Sequence, residues 1–130
     1  RYLEHLDPDW LRYYYASKLG PKIDDVDFQT EEFVGKVNSD LVGRVANLAS
    51  RTARFVEATG LSASYPEDGG LFARGASLGE AVARAYEACD FREAMRLVMQ
   101  HADLANEYVE RMAPWKLKKD PARANELQDV

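Results

Sequence analysis

The sequence predicts an all-α protein, an antiparallel helical bundle, on three observations. Apolar residues recur at three- and four-residue spacing over most of the chain. The breaks between these runs carry helix-start and helix-stop residues, and no run alternates with the two-residue period of a half-buried strand. Short connectors make consecutive helices antiparallel neighbours, with three to five helices in all.

Asp7 and Pro8 precede the run WLRYYYASKL, and Gly20 and Pro21 follow it. An Asp N-cap, a proline in the first turn and a closing glycine predict a short helix over 7–19. The acidic stretch Asp24, Asp25, Asp27 leads to Thr30, read as the N-cap of the longest helix, 31–59. There Val37, Leu41, Val45, Leu48, Thr52 and Phe55 share one face at about 100° per residue, and Gly60 supplies the stop.

Pro66 and the Gly69-Gly70 pair make 61–70 a loop. Leu71, Gly75, Leu78, Val82, Ala85 and Cys89 carry the next stripe, which Gly75 and Gly79 weaken by about 1 kcal/mol each. Ser77 with Glu80 offers an internal capping box, so one weak helix from 71, or a turn and then a helix from 77, both fit. Asp90 and Glu93 form a second capping box before Phe91, Met95, Val98, Ala102, Ala105, Val109 and Met112, the most regular stripe in the chain. Ala113-Pro114 interrupts it, and Asp120-Pro121 opens a last helix. The chain begins at Arg1 and ends inside a helical pattern, so a C-terminally truncated bundle is expected, part of a longer protein.

A chain of 130 residues, 46% hydrophobic and 30% charged, suits one ordinary globular core. Its net charge of −5 excludes a non-specific nucleic-acid binder built on many phosphate contacts; any such site must be local and specific. No apolar run approaches the roughly 18–20 residues that span a bilayer, and no basic-then-apolar leader opens the chain, so no membrane association and a cytoplasmic location are expected. Cys89 is the single cysteine, which excludes an internal disulfide and predicts a buried free thiol.

His5 and His101 lie far apart, and no HExxH or CxxC spacing occurs, so no metal site is expected. The Asp24, Asp25, Asp27 cluster lacks the ligand spacing and glycine turn of a calcium loop. Triad motifs and phosphate loops are absent as well, so no catalytic residue is expected. Two polar stripes remain. Arg44, Asn47, Arg51 and Arg54 fall within about 80° of arc on the first long helix. Guanidinium groups stack on bases and donate paired hydrogen bonds, and an Asn amide both donates and accepts, which suits the reading of unpaired bases; a solvated face with acidic partners fits the same pattern. On the second long helix Asp103, Asn106 and Glu110 share a face. Trp115 follows Pro114 at its end, either as a stacking platform or as a core anchor.

LRYYYASKLGPKIDDVDF, VNSDLVGRVANLASR and ADLANEYVERMAPWKLKKDP, in this order and spacing, resemble the methionyl-tRNA synthetase family of class I aminoacyl-tRNA synthetases. The resemblance covers 2–59 and 90–123, while 61–89 is generic. It implies that 1–24 end a stem-contact segment following the KMSKS loop and that 25–130 begin a class I anticodon-binding helical bundle. It implies that Asn47 and Arg51 contact anticodon bases and that Trp115 beside Pro114 stacks on the first base of CAU; with the loop held there, the remaining arginines of the ridge, Arg44 and Arg54, are expected to steer the RNA backbone. Asp103, Asn106 and Glu110 would help reject wrong anticodons, with Glu110 standing where a shorter Asp is often found.

The implied partners are the anticodon loop of tRNA(Met) and the catalytic domain of the same chain. The HIGH and KMSKS motifs, the methionine pocket and the zinc-binding insertion are missing from these residues. ATP, Mg2+ and Zn2+ therefore belong to the parent enzyme, a methionine--tRNA ligase that attaches methionine to tRNA(Met), and this part is expected to hold no cofactor and no catalytic site. A protein-interaction bundle and the equivalent domain of a class I synthetase for an aliphatic amino acid are the alternatives.

Overall fold

A computed structural model describes residues 4–23, 25–60, 67–119, 123 and 127, and among these all regular structure is helical. Helix α1 spans Pro8–Ala16, with the Asp7 carboxylate accepting the Asp9 N–H at 2.8 Å and proline in the first turn. Helix α2 spans Thr30–Lys36. Its N-cap is Gln29, whose side chain makes no capping bond; Thr30, the expected cap, already lies inside the helix.

The predicted helix over 31–59 is continuous but not uniform. After α2 the chain winds as a π-helix through Val37–Ala46, 10 residues, before returning to α-geometry as α3, Asn47–Thr59. In the wider turn each N–H reaches the carbonyl five residues back. A Cβ on Gly43 would stand 3.2 Å from the Asn38 carbonyl oxygen, five residues earlier, so the bare glycine eases that closure. Winding at another pitch redirects the side chains. The packed line runs through Val37, Asp40, Leu41, Arg44 and Leu48, and Val45, expected in the core, is 43% exposed.

Helix α4, Leu71–Glu87, is one helix from 71; Ser77 sits inside it and donates its hydroxyl to the Arg74 carbonyl at 2.9 Å. Asp68 caps its start, accepting the Gly70 and Phe72 N–H groups at 2.6 Å each. A tight turn then reverses the chain into α5, Phe91–Met112. Cys89 takes the left-handed conformation there, with φ 55°, and its thiol is exposed rather than buried: the turn that follows α4 needs a left-handed residue, which carries the side chain off the apolar stripe. A Cβ on Gly75 would lie 2.7 Å from His101 Nε2, so the glycine lets α4 and α5 close against each other.

At the start of α5 the Asp90 carboxylate accepts the Glu93 N–H at 3.2 Å, while the Glu93 carboxylate pairs with Arg96 instead of reaching back. Because α5 packs against α1, α4 and the long helix, its buried face is broader than one stripe: Ala94, Met99, Tyr108 and Val109 are buried and Val98 is not. Ala113, at φ 46° and ψ 57°, ends α5, and Pro114 starts the single turn α6, Pro114–Leu117.

Two apolar clusters result. Tyr14, Phe33 and Val37 pack with Leu6, Leu11, Tyr15 and Leu41 between α1 and the start of the long helix. Leu71, Tyr108 and Val109 pack with Leu48, Leu104, Met112 and Trp115 between α3, α4 and α5. The expected helix from Asp120-Pro121, most of the loop over 61–70 and Asp24 fall outside the described residues. Among those described, no helix is long and apolar enough to cross a membrane.

Candidate nucleic-acid interface

The left-handed turn at Ala113 and the buried ring of Pro114 fix where Trp115 emerges. Trp115 is half-buried. It packs against the Leu71, Tyr108, Val109 cluster, and the Arg51 guanidinium lies 4.8 Å from its ring centroid. The tryptophan is thus an anchor for that cluster, and its ring also carries the Arg51 guanidinium. Arg51 is held in place by an ion pair with Glu110, in the last turn of α5.

Beside this stack opens a groove of about 570 Å³, lined by Ser50, Arg51, Arg54, Phe55, Trp115, Lys118 and Lys119. Four cationic side chains thus gather in one place on a chain of net charge −5. Lys118 stands over the Phe55 ring at 5.9 Å. Sequence reasoning missed both lysines, although the run KLKK immediately after Trp115 was the signal. Asn47 is exposed one turn before Arg51, and its side chain makes no hydrogen bond among the described residues, so its amide faces solvent with donor and acceptor available. Arg54 is also exposed and forms no ion pair among them.

Arg44 departs from this ridge. The π-helix turns it toward α5, where its guanidinium meets Asp103 at 2.8 Å and Asp40 at 2.7 Å. The Asn106 amide donates to the Arg44 carbonyl at 3.1 Å and to the Ala102 carbonyl at 2.9 Å. The residues singled out from sequence therefore fall into two groups. Arg51, Arg54 and Trp115 line the groove, with Glu110 paired to Arg51, Pro114 buried beside Trp115 and Asn47 one helical turn before Arg51; Arg44, Asp103 and Asn106 lace the long helix to α5.

That lacing centres on Asp40, which is 3% exposed. It accepts hydrogen bonds from Tyr13 at 2.5 Å on α1, Ser39 at 3.0 Å and Arg44 at 2.7 Å, and pairs with Lys36 at 2.8 Å. Burial alone would raise its pKa, but the bonds from Lys36, Tyr13 and Ser39 outweigh burial and hold the carboxyl below its ordinary value. Burial, with the neighbouring Asp40 carboxylate, pushes the Tyr13 phenol well above its ordinary range, which keeps it a neutral donor.

For bound ions the donor set is poor. His101 lies across Gly75, Cys89 sits in an exposed turn, and no three His, Cys, Asp or Glu residues among those described are grouped to hold a metal. These residues do not fit a zinc or magnesium site, and no step is assigned to one.

The family model of class I tRNA synthetases (M) matches residues 1–53. Over 129 residues, 99% of this chain, the sequence is 60% identical to methionine--tRNA ligase 1 of Sorangium cellulosum and 54% identical to methionine--tRNA ligase of Rhodopirellula baltica. It is 46% identical over 131 residues to methionine--tRNA ligase of Psychrobacter arcticus. The chain spans about 19% of the length of each of these relatives. Along nearly all of its own length the chain is similar to one segment of these methionine--tRNA ligases, and its first 53 residues match the model of class I tRNA synthetases (M).

Proposed function

We propose that this chain reads the CAU anticodon of tRNA(Met) on behalf of a methionine--tRNA ligase. In this reading residues 25–130 are the anticodon-binding bundle and residues 1–24 the end of a stem-contact segment. The observation that carries it is the Arg51 guanidinium over the Trp115 ring, in a groove lined by four cations, with the exposed Asn47 one helical turn before Arg51.

A splayed base stacks on the indole, a contact worth ~1–3 kcal/mol, and Pro114 holds that indole at a fixed angle. Asn47 and the planar fork of Arg51, one helical turn apart, hydrogen-bond to base edges. Arg54, Lys118 and Lys119 meet the phosphates. Glu110 accepts hydrogen bonds only, so it favours bases that present amino groups and repels misplaced phosphates. Asp103 and Asn106 contribute to discrimination from one layer back, by fixing Arg44 and the helix that carries the ridge, and Arg44 turns its outer edge to the RNA backbone.

The longer protein would work in the cytoplasm, with ATP, Mg2+ and any Zn2+ held by its other parts and its catalytic domain as this chain's second partner. The test is the charging kinetics of the full-length ligase carrying Trp115→Ala. The kcat/KM for tRNA(Met) should fall roughly 5- to 150-fold, the loss of one stacked base, with methionine activation in the absence of tRNA unchanged. An unaltered kcat/KM for tRNA would remove Trp115 from recognition. Titration with anticodon stem-loops separates this reading from a protein-interaction bundle, which would bind CAU and altered loops alike.

A further inference from the structure

The two walls of the groove cover each other's rings. From α3, Arg51 reaches over the Trp115 ring at 4.8 Å; from the residue after α6, Lys118 reaches back over the Phe55 ring at 5.9 Å. Each wall thus supplies one aromatic face and the cation that lies on the other. The turn of α6 holds both lysines, the Lys118 N–H donating to the Pro114 carbonyl at 3.0 Å and the Lys119 N–H to the Lys116 carbonyl at 3.1 Å. Apolar spacing assigns Phe55 to the core. Among the described residues it is instead only partly buried, joins neither apolar cluster and lines the groove.

We propose that Phe55 is a second stacking platform, taking the unpaired nucleotide that adjoins the one on Trp115. The inference rests on the anticodon reading and deepens it. A ring with a cation over its face suits a ligand that carries both a flat ring and a negative charge. A nucleotide has both: its base replaces the ammonium on the phenyl ring, and the displaced Lys118 meets the phosphate that links the two bases. Phe55 stands four residues, about 6 Å, beyond Arg51 on the same side of α3, an interval that successive nucleotides of an unstacked strand bridge.

A phenyl ring has no hydrogen-bonding atom, so Phe55 adds affinity and fixes the register of the loop while the bases are read by other groups. An apolar segment of a protein partner fits less well, because the two rings lie among Arg51, Arg54, Lys118 and Lys119.

The experiment measures binding of anticodon stem-loops to the full-length ligase, wild type and Phe55→Leu. The loops are the intact CAU loop and two that carry an abasic nucleotide on one or the other side of the first anticodon base. Phe55→Leu should weaken the intact loop roughly 5- to 150-fold, and Phe55→Tyr, which keeps the ring, should bind as the wild type does. With one of the two abasic loops the leucine change should cost less than about 2-fold, since the stacked base is already gone. Equal weakening of all three loops would make Phe55 a packing residue and overturn the proposal, as would no weakening at all. Should Phe55→Leu not fold, a photoreactive azido-base at those two positions, with the wild-type ligase, should cross-link to the peptide that holds Phe55; cross-links elsewhere would overturn it equally. Binding that ignores the anticodon altogether would fail the wider reading and this one with it, whereas loss on Trp115→Ala without loss on Phe55→Leu would fail this one alone.

Discussion

Arg51 covers one face of Trp115, its guanidinium 4.8 Å from the ring centroid, while Glu110 holds it from the other side. In the free chain the arginine therefore occupies the surface on which a base would stack. Arg51→Lys separates the two things the arginine does: lysine keeps the charge and loses the planar fork. The kcat/KM of the full-length enzyme for tRNA(Met) should drop about 10-fold, one good hydrogen bond or stack, with methionine activation unmoved. Equal charging by the lysine variant would reduce Arg51 to an electrostatic contact.

Glu110→Gln releases Arg51 from its ion pair. The carboxylate is well exposed, so stability should change by less than ~1 kcal/mol, measured as a urea midpoint. Charging of the CAU tRNA should hold or improve, and the ratio of kcat/KM between CAU and altered anticodons should shrink. A ratio that stays the same would leave Glu110 with no part in discrimination.

Asp40→Asn should cost about 2–3 kcal/mol, because a buried acceptor serving four donors becomes a group that also presents N–H to Lys36 and Arg44. The wild-type chain should also lose stability in acid. An unfolded Asp titrates near 3.8 and the folded Asp40 lower, so acidification protonates the unfolded chain first. The contribution is complete above 3.8 and disappears as pH falls through the folded value. Glu32, Asp68 and Glu93 shift the same way, through bonds from Lys18, the Phe72 backbone and Arg96. Thermal melts between pH 7 and 3 should therefore fall less steeply for Asp40→Asn than for the wild type.

The two glycines of α4 should respond in opposite senses to alanine. Gly79 has open space where a Cβ would stand, so Gly79→Ala should stabilise by up to ~1 kcal/mol through helix propensity. Gly75→Ala drives a methyl into His101 and should destabilise by about 1 kcal/mol or more. In a His101→Ala background the same Gly75 change should become stabilising. Urea denaturation of the wild type, Gly75→Ala, His101→Ala and the double variant measures the cycle.

Periodicity and end signals carried most of the architecture. The start at Asp7-Pro8, the stop at Gly60 and the regular stripe of α5 required only local chemistry, and the structure follows them. Failures came where a residue's environment is set by partners distant in sequence. The wheel that placed Val45 inward and Arg44 on an outer ridge assumed one pitch, while the helix there winds at another. Val98 and Cys89 follow the same logic, one on a helix packed on several sides and the other recruited into a reversing turn. At the groove, spacing put Asn47 and Arg51 on one ridge and left Trp115 open between core and surface, and only the family resemblance singled the three out as a site. Lys118 and Lys119 were not weighed, and nothing in the local sequence said that Asp103 and Asn106 would be engaged with Arg44.

The π-helical stretch from Val37 to Ala46 sets the rotational phase of everything after it. Removing one residue there, with every side chain of the groove left intact, would turn Asn47, Arg51 and Arg54 by roughly a quarter of a turn about the helix axis and carry Arg51 away from Trp115. Substitutions in this stretch change its contacts one at a time, whereas a single insertion or deletion displaces the whole ridge. The length of those ten residues is thus as much a part of the groove as the arginine that crosses the indole.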